Sequence, residues 1–196
     1  LHVRSRRQRQ MCIRDSSMGG LITASYMQNN VSRNLYPEKV FLSGPAVAGT
    51  GSLGSFFSIA PMKLMSFLKA IPTSFPVEGL LDLSKLSHDP RVYESYVTDP
   101  NNTLKIHTKL FFEILNESRE VFSRPLRIDC DLYCAVGSND GLVDANAVEK
   151  YFLEVEKNAK FLKVQGGYHE LHNEIDKYSE SYFEFLKSSI LGSLFT

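Results

Sequence analysis

The 196-residue sequence lacks most features that would place it in a specialised class. It has no net charge at neutral pH, with 22 Lys and Arg against 22 Asp and Glu, so nothing in its charge points to a nucleic-acid partner. It has no run of eighteen apolar residues, so no membrane-spanning helix is predicted. It has no internal repeat. What remains is an ordinary globular protein, long enough for one domain with a sizeable core.

Cysteine is also scarce, with three residues in all. Cys130 and Cys134 lie four residues apart in an apolar run. On a strand that spacing points both side chains to the same face. We therefore predict two thiols in the core rather than a disulfide or a metal-binding pair.

The amino-terminal segment differs from the rest in charge. Residues 1–15 hold five Arg and one Asp, which leaves 17 basic and 21 acidic residues in the remainder. A basic arm or a targeting segment is the usual interpretation. We favour an artefact, because residues 6–16 can be encoded by a string that resembles a transposase sequencing-library adaptor. On this hypothesis residues 1–16 precede the gene fragment, and the true amino terminus with any signal peptide is missing.

The rest of the sequence alternates between strand and helix signals. Apolar runs bounded by turns predict strands within KVFLSGPAV, DLYCAVGSND and KFLKV. Helical spacing predicts helices within SSMGGLITASYMQNN, SIAPMKLMSFLKAI (58–71), DANAVEKYFLEVEKN and the carboxyl-terminal segment. This order predicts an α/β fold, with a parallel sheet covered by helices on both faces and an irregular helical insert. In such sheets catalytic groups collect at the carboxyl ends of the strands.

Three loops at predicted strand ends hold the residues of a serine hydrolase triad, in the order Ser17, Asp140, His169. A serine hydroxyl is a weak nucleophile, so an imidazole must take its proton and return it to the leaving group. A carboxylate must hold the imidazole tautomer and stabilise the imidazolium. The small residues after Ser17 allow a tight turn and let the Met18 backbone N–H face the developing oxyanion.

Each of these residues also has a simpler interpretation. Ser17 alone suits a helix N-cap, Asp140 a turn with the glycine that follows it, and His169 a polar loop. Their joint occurrence at three strand ends favours the triad. Weaker candidates are Ser16, Asp129, Asp131, the predicted helix cap Asp144, and three histidines that we expect to be solvated, His88, His107 and His172.

The stretch HELH at 169–172 is not a zinc motif, because its histidines lie three residues apart instead of four. We expect no metal and no cofactor.

Four stretches, SMGG, VYESYVTDP, GSNDGLVD and GGYHELHNE, resemble the monoacylglycerol lipase and lysophospholipase branch of the α/β hydrolases, which includes members like the serine aminopeptidases of family S33. The resemblance runs from Ser17 to about Leu191. It implies Ser17 as nucleophile, Asp140 as acid and His169 as general base.

The resemblance also implies an α/β-hydrolase core in two parts, residues 17–49 and 125–196, separated by a helical cap at about 50–124. In the lipases such a cap covers the site and admits one acyl chain. The Met, Leu and Phe side chains of 58–71 suit that role or the core of the cap equally well. The implied partner is a small lipid ester, with transient membrane-surface contact through the cap and a cytoplasmic or peripheral-membrane location. Nothing indicates the oligomeric state.

The sequence departs from the family pattern before the nucleophile, where Asp15 and Ser16 stand in place of Gly-His. The family's first strands and the loop that supplies its second oxyanion donor are also absent. We therefore expect an inactive fragment whose strand at 39–43 is an exposed sheet edge. For the complete protein we expect hydrolysis of monoacyl lipid esters through an acyl-enzyme. A peptidase or small-ester esterase of the same fold, and a non-catalytic binding protein, are the alternatives.

Overall fold

The protein is represented by a computed structural model, which describes residues 12–29, 37–47 and 74–191. The helix predicted at 58–71 lies outside these residues, as does the first part of the predicted cap.

The described chain contains six strands and five α-helices. The strands are β1 (Cys12–Ser16), β2 (Lys39–Ser43), β3 (Pro76–Glu78), β4 (Lys105–His107), β5 (Asp131–Gly137) and β6 (Lys160–Val164). The helices are α1 (Ser17–Asn29), α2 (Pro90–Thr98), α3 (Thr108–Val121), α4 (Ala145–Lys150) and α5 (Asp176–Leu191). Short 3-10 turns lie at Leu83–Lys85 and Leu171–Asn173, and a π-helical turn at Tyr151–Val155 extends α4.

A four-stranded parallel sheet organises the structure, in the order β1-β2-β5-β6. The three strands predicted from apolar runs are β2, β5 and β6, and the prediction of a parallel α/β sheet is confirmed. A second, antiparallel pair is formed by β3 and β4. Because all strands of the main sheet run the same way, their carboxyl ends lie along one edge, where the three predicted catalytic loops begin.

Alternating side chains of the central strands separate the core into two layers. On β2, Val40 and Leu42 join the larger apolar cluster, whereas Phe41 joins the cluster on the opposite face. The larger cluster includes Leu21 of α1, and the smaller one includes Tyr182 of α5, whose ring packs edge-on against Phe41. The central strands are therefore apolar on both faces because helices cover both.

The segment before Ser17 forms strand β1, and the expectation that β2 is an exposed edge is wrong. All five residues of β1 are in register with β2, so β2 lies between β1 and β5. Ile13 packs against the larger core cluster, and the carboxylate of Asp15 accepts a hydrogen bond from the Thr23 hydroxyl of α1. Backbone pairing and one inward apolar side chain are enough for an edge strand, despite the polar residues beside them. The adaptor origin of this segment stays a prediction.

Residues 74–124 contain β3, β4, α2 and α3 and are the described part of the predicted cap. The cap contacts the core at α3, where Glu117 accepts a hydrogen bond from the Ser25 hydroxyl of α1 at 2.5 Å. Among the helices described here, none has the length and apolar character needed to cross a bilayer.

Candidate active site

Ser17 occupies a strained turn between β1 and α1. Its φ of +52° lies in the left-handed region, which costs a residue with a side chain about 1–2 kcal/mol. The loop after β2 stabilises this turn, because the Ser17 carbonyl accepts a hydrogen bond from Ala46 N at 3.2 Å. A strained strand-to-helix turn is the arrangement that presents a nucleophilic serine at the top of a parallel sheet.

Met18 is the second residue of α1, and the residue is 41% exposed. The first four backbone N–H groups of a helix have no partner within the helix. The positive end of the helix dipole favours an anion at this position, and a bond from the Met18 N–H to an oxyanion next to Ser17 stays a prediction.

The loop after β5, which holds Asp140, is bonded directly to the loop after β6, which holds His169. Asn139 N donates to Gly167 O at 3.0 Å, and Gly166 N donates to the Ser138 hydroxyl at 2.8 Å. The backbones approach so closely that a Cβ on Gly137 would lie 2.2 Å from Gly167 O. The absence of a side chain at the end of β5 thus allows the two loops to meet.

His169 and Asp140 form a buried pair at this junction. Nδ1 of His169 lies 2.7 Å from Oδ2 of Asp140, and the two side chains are 4% and 0% exposed. The other carboxylate oxygen accepts from Leu142 N at 2.8 Å and Val143 N at 2.9 Å, which fixes the carboxyl group. A hydrogen bond from Nδ1 leaves the lone pair on Nε2, the tautomer that a general base requires.

The three predicted residues are therefore placed along one edge of the sheet, and two of them are in direct contact. The loop after β2 contacts both parts of the site: Ala46 N binds the Ser17 carbonyl, and a Cβ on Gly44 would lie 3.3 Å from Cε1 and Nδ1 of His169. A contact between Ser17 Oγ and His169 Nε2 stays a prediction. Asp144 caps α4 by accepting from two backbone amides, as predicted.

An apolar cavity of about 380 Å³ lies beside the turn, with Ser17 and Met18 in its wall. Most of the other lining residues are apolar side chains of the predicted cap, among them Val77, Leu80, Ile106, Leu110, Phe111 and Leu115. A cavity of this size and character suits an apolar ligand rather than a charged one.

Two histidines do not match the expectation of solvated side chains. Nδ1 of His88 lies within hydrogen-bond distance of Glu174 Oε1, at 2.8 Å. The His88 ring stacks on the Tyr168 ring, with the ring centroids 3.6 Å apart. His172 is half-buried, and its Nδ1 is shielded without a hydrogen-bond partner. Burial lowers the pKa of His172, with a further contribution from the charge of Arg14. His107 is exposed, as expected.

Sequence reasoning missed the role of Glu174 in this region. The residue ends the stretch GGYHELHNE, in which the sequence predicted a catalytic role for His169 and a solvated side chain for His172. The only sequence signal for such a role was a carboxylate within a distinctive loop, and no residue near it in the sequence indicated its hydrogen-bond partner.

Both core cysteines behave as predicted. Cys134 is buried and Cys130 half-buried in the larger apolar cluster, and both are free thiols. Burial raises the pKa of Cys130 to about 11 and that of Cys134 well above its usual value, so both thiols are poor nucleophiles. In the ranges that the structure describes, no group of three His, Cys, Asp or Glu side chains could hold a metal ion.

Comparison with known proteins relates the chain to lipases. Its fold is similar to that of a monoacylglycerol lipase from Paleococcus ferrophilus, with a TM-score of 0.75 and 22% identity over 91% of this chain and 67% of that one. It is also similar to a soluble variant of the monoglyceride lipase from Saccharomyces cerevisiae, with a TM-score of 0.70 and 16% identity over 89% of this chain and 59% of that one. The chain thus spans about two thirds or less of the length of these enzymes. A search of the curated proteins finds no match.

A family model described as serine aminopeptidase, S33, matches residues 2–176. That match covers most of the chain, including the segment before Ser17 and all three loops described above. Together with the parallel sheet it confirms the resemblance noted in the sequence: the chain belongs to the serine aminopeptidase S33 family and has the α/β-hydrolase fold.

Proposed function

We propose that the complete protein is a serine carboxylester hydrolase of monoacyl lipids, either monoacylglycerols or lysophospholipids. The observation that carries the proposal is the buried His169–Asp140 pair at the same sheet edge as the strained turn of Ser17, next to an apolar cavity. A nucleophile, an oriented base and a site for an acyl chain are the minimum that such a reaction needs.

In the proposed mechanism Ser17 Oγ attacks the ester carbonyl while Nε2 of His169 takes the hydroxyl proton. Asp140 keeps the Nδ1 proton in place and stabilises the imidazolium that forms. The Met18 N–H donates to the carbonyl oxygen as it becomes an oxyanion, and one such donor is worth about 3 kcal/mol in the transition state.

The tetrahedral intermediate then expels the alcohol, which receives its proton from His169. The acyl group stays on Ser17 as an ester, with its chain in the apolar cavity. Water attacks this ester with His169 again acting as base, and the fatty acid leaves as Ser17 regains its proton. Over the whole cycle His169 passes one proton from Ser17 to the alcohol and one from water to Ser17, so the enzyme ends in its starting state and no cofactor enters the balance.

The choice of a lipid substrate is supported by the cavity and by the fold neighbours. Among the described residues the lining is mostly apolar, and its one charged side chain, Lys105, has the same sign as the amino terminus of a peptide. Two fold neighbours are monoacylglycerol lipases, one of them solved with a substrate analogue. The family is described as serine aminopeptidase, so peptides are the competing class of substrate.

We also propose that the cap makes transient contact with a lipid surface. Leu81, Leu104 and Leu110 line the cavity and are 41–46% exposed, so they lie at its mouth. Phe75 nearby in the sequence is 62% exposed. Exposed apolar side chains at the entrance would let a lipid pass from a membrane into the cavity without entering water. Co-sedimentation with phosphatidylcholine vesicles, reduced by Leu104→Ser, tests this contact.

Fluorophosphonate labelling of the protein expressed from its complete gene tests the nucleophile. We expect one labelled serine, complete loss of labelling in Ser17→Ala and normal labelling in the control Ser181→Ala, which removes an exposed hydroxyl of α5. Labelling that survives Ser17→Ala would contradict the assignment. A wild-type protein that takes up no label would instead support a non-catalytic binding protein.

Competition between substrates tests the class. Hydrolysis rates are measured for a monoacylglycerol, a lysophosphatidylcholine of the same chain length and an aminoacyl nitroanilide. The proposal expects the lipid esters to be preferred by at least two orders of magnitude, about 3 kcal/mol in transition-state binding. Preference for the anilide would overturn it in favour of a peptidase.

A further inference from the structure

The loop that carries His169, residues 166–170, is held by groups that lie outside it. Three successive backbone amides of the loop find such acceptors: Tyr168 N donates to Oε1 of Glu174 (2.7 Å), His169 N to Lys85 O (3.1 Å) and Glu170 N to Leu86 O (2.8 Å). Two of the three acceptors belong to the predicted cap. The backbone position of His169 is therefore set by a segment that sequence analysis assigned to a different part of the molecule.

Glu174 is the centre of this arrangement. Its side chain is fully shielded from solvent, and its carboxylate accepts hydrogen bonds from His88 N at 3.0 Å as well as from Tyr168 N. Nδ1 of His88 lies 2.8 Å from the same carboxylate. Desolvation by burial favours the neutral carboxyl group and would raise the pKa of Glu174. The hydrogen bonds from the His88 and Tyr168 amides and from the His88 ring have the larger combined effect, so the pKa of Glu174 is lowered. A buried carboxylate with several donors is a rigid anchor.

Lys85 touches both loops of the His169–Asp140 pair. Its Nζ donates to the Tyr168 hydroxyl at 3.0 Å, next to His169. Its Cβ and Cγ fill the space beside Gly141, where an added Cβ would lie 2.5 Å from each. The ring of His88 completes the contact by stacking on Tyr168. Residues 85–88 thus lie against the acid loop, the histidine loop and Glu174 at once.

We propose that Glu174 and residues 85–88 form a clamp that positions His169 against Asp140. Glu174 and His88 are positioning residues, because they reach the imidazole only through the backbone of Tyr168 and His169. Through this clamp the predicted cap fixes the position of His169, in addition to lining the cavity. Its importance for catalysis rests on the proposed function, but the positioning itself is measurable without turnover.

The decisive variant is Glu174→Gln in the protein expressed from its complete gene. The amide has nearly the shape of the carboxylate, but its nitrogen cannot accept, so at least one buried donor loses its partner. We expect amide hydrogen exchange at residues 168–170 to become at least tenfold faster. We also expect the hydrogen-bonded Nδ1–H proton resonance of His169 to broaden or disappear. On a soluble ester, kcat should fall about tenfold while KM stays within twofold.

Glu156→Gln is the matched control outside the loop. Its buried carboxylate likewise accepts from a backbone amide, Leu126 N at 2.7 Å, and takes no part in the clamp. This variant should leave the exchange rates, the Nδ1–H resonance and kcat at their wild-type values.

His88→Phe keeps the proposal testable if Glu174→Gln does not fold. The phenyl ring preserves the stacking on Tyr168, and the backbone bond of residue 88 remains, so only the Nδ1 contact with Glu174 is removed. We expect at least a threefold increase in exchange at Tyr168 and a weakened Nδ1–H resonance. If the folded variants keep wild-type exchange and an unchanged resonance while only their melting temperatures fall, the clamp is overturned. Absence of fluorophosphonate labelling in the wild type would contradict the proposed function and leave these measurements unaffected.

Discussion

The imidazole of His169 and the carboxylate of Asp140 are joined by a 2.7 Å contact between Nδ1 and Oδ2, in a position almost closed to solvent. The second oxygen of Asp140 is occupied by two backbone amides, so the carboxylate has little freedom to turn. In a poorly solvated site an oriented carboxylate stabilises the imidazolium more strongly than it would in water.

Asp140→Asn should lower kcat/KM about 10³- to 10⁴-fold and leave the fold intact. The amide oxygen still accepts from Leu142 N and Val143 N, but the amide NH₂ then faces Nδ1 and favours the tautomer that protonates Nε2. Steady-state kinetics on a soluble ester checks the loss. The control is Asp144→Asn, which keeps a good cap on α4; a similar loss there would show that the effect is not specific to the triad.

Ser17→Gly should be more stable than Ser17→Ala by about 1 kcal/mol, although both are inactive. Alanine must adopt the left-handed backbone of Ser17 at a cost of about 1–2 kcal/mol, which exceeds the entropic disadvantage of glycine. Urea denaturation of the two variants gives the difference. Equal stabilities would mean that the turn relaxes and is not held by the bond from Ala46.

The apolar cavity predicts a dependence on acyl-chain length. Each buried methylene is worth about 0.8 kcal/mol, so kcat/KM should rise about fourfold per CH₂ until the cavity is full. Ile106→Trp, which places a larger side chain in the cavity wall, should move the optimum to shorter chains. Leu153→Trp, at an exposed position outside the lining, is the control. An optimum that Ile106→Trp does not move would place the acyl chain elsewhere.

Acid should destabilise the protein in part through Glu174. The pKa of this residue is lower in the folded state than its ordinary value of 4.5. The unfolded chain therefore binds more protons than the folded one near that value, and the stabilisation is complete above it and lost as the pH falls through the folded pKa. Urea midpoints at pH 7 and pH 4 should differ less in Glu174→Gln than in wild type. Identical differences would mean that Glu174 titrates normally.

The three loops of the predicted triad could be located from the sequence because their signals are local. Apolar runs that end in small or turn-forming residues identify strand ends, and a parallel sheet brings such ends to one edge. His169 follows Asp140 by 29 positions, and the segment between them contains one helix and one strand, so their loops become neighbours at β5 and β6. The contact between them follows from that topology.

Strand β1 was missed because its side chains do not resemble a buried strand. Arg14 and Asp15 are polar, and the strand is held by backbone bonds to β2, which leave no trace in side-chain pattern. The pair formed by His88 and Glu174 was missed for another reason. The two residues are 86 positions apart in the sequence, and only the folded chain brings the imidazole within hydrogen-bond distance of the carboxylate. Tertiary pairing of polar groups has no periodicity to detect.

The position of Lys85 between the two loops has a consequence for protein engineering. If the proposed clamp is correct, a graft that replaced residues 50–124 as a block would remove the backbone acceptors of the His169 loop, Lys85 O and Leu86 O, along with the predicted cap. A chimera that retains 83–89 from the recipient, and takes only the flanking parts from the donor, should keep its turnover while changing its selectivity.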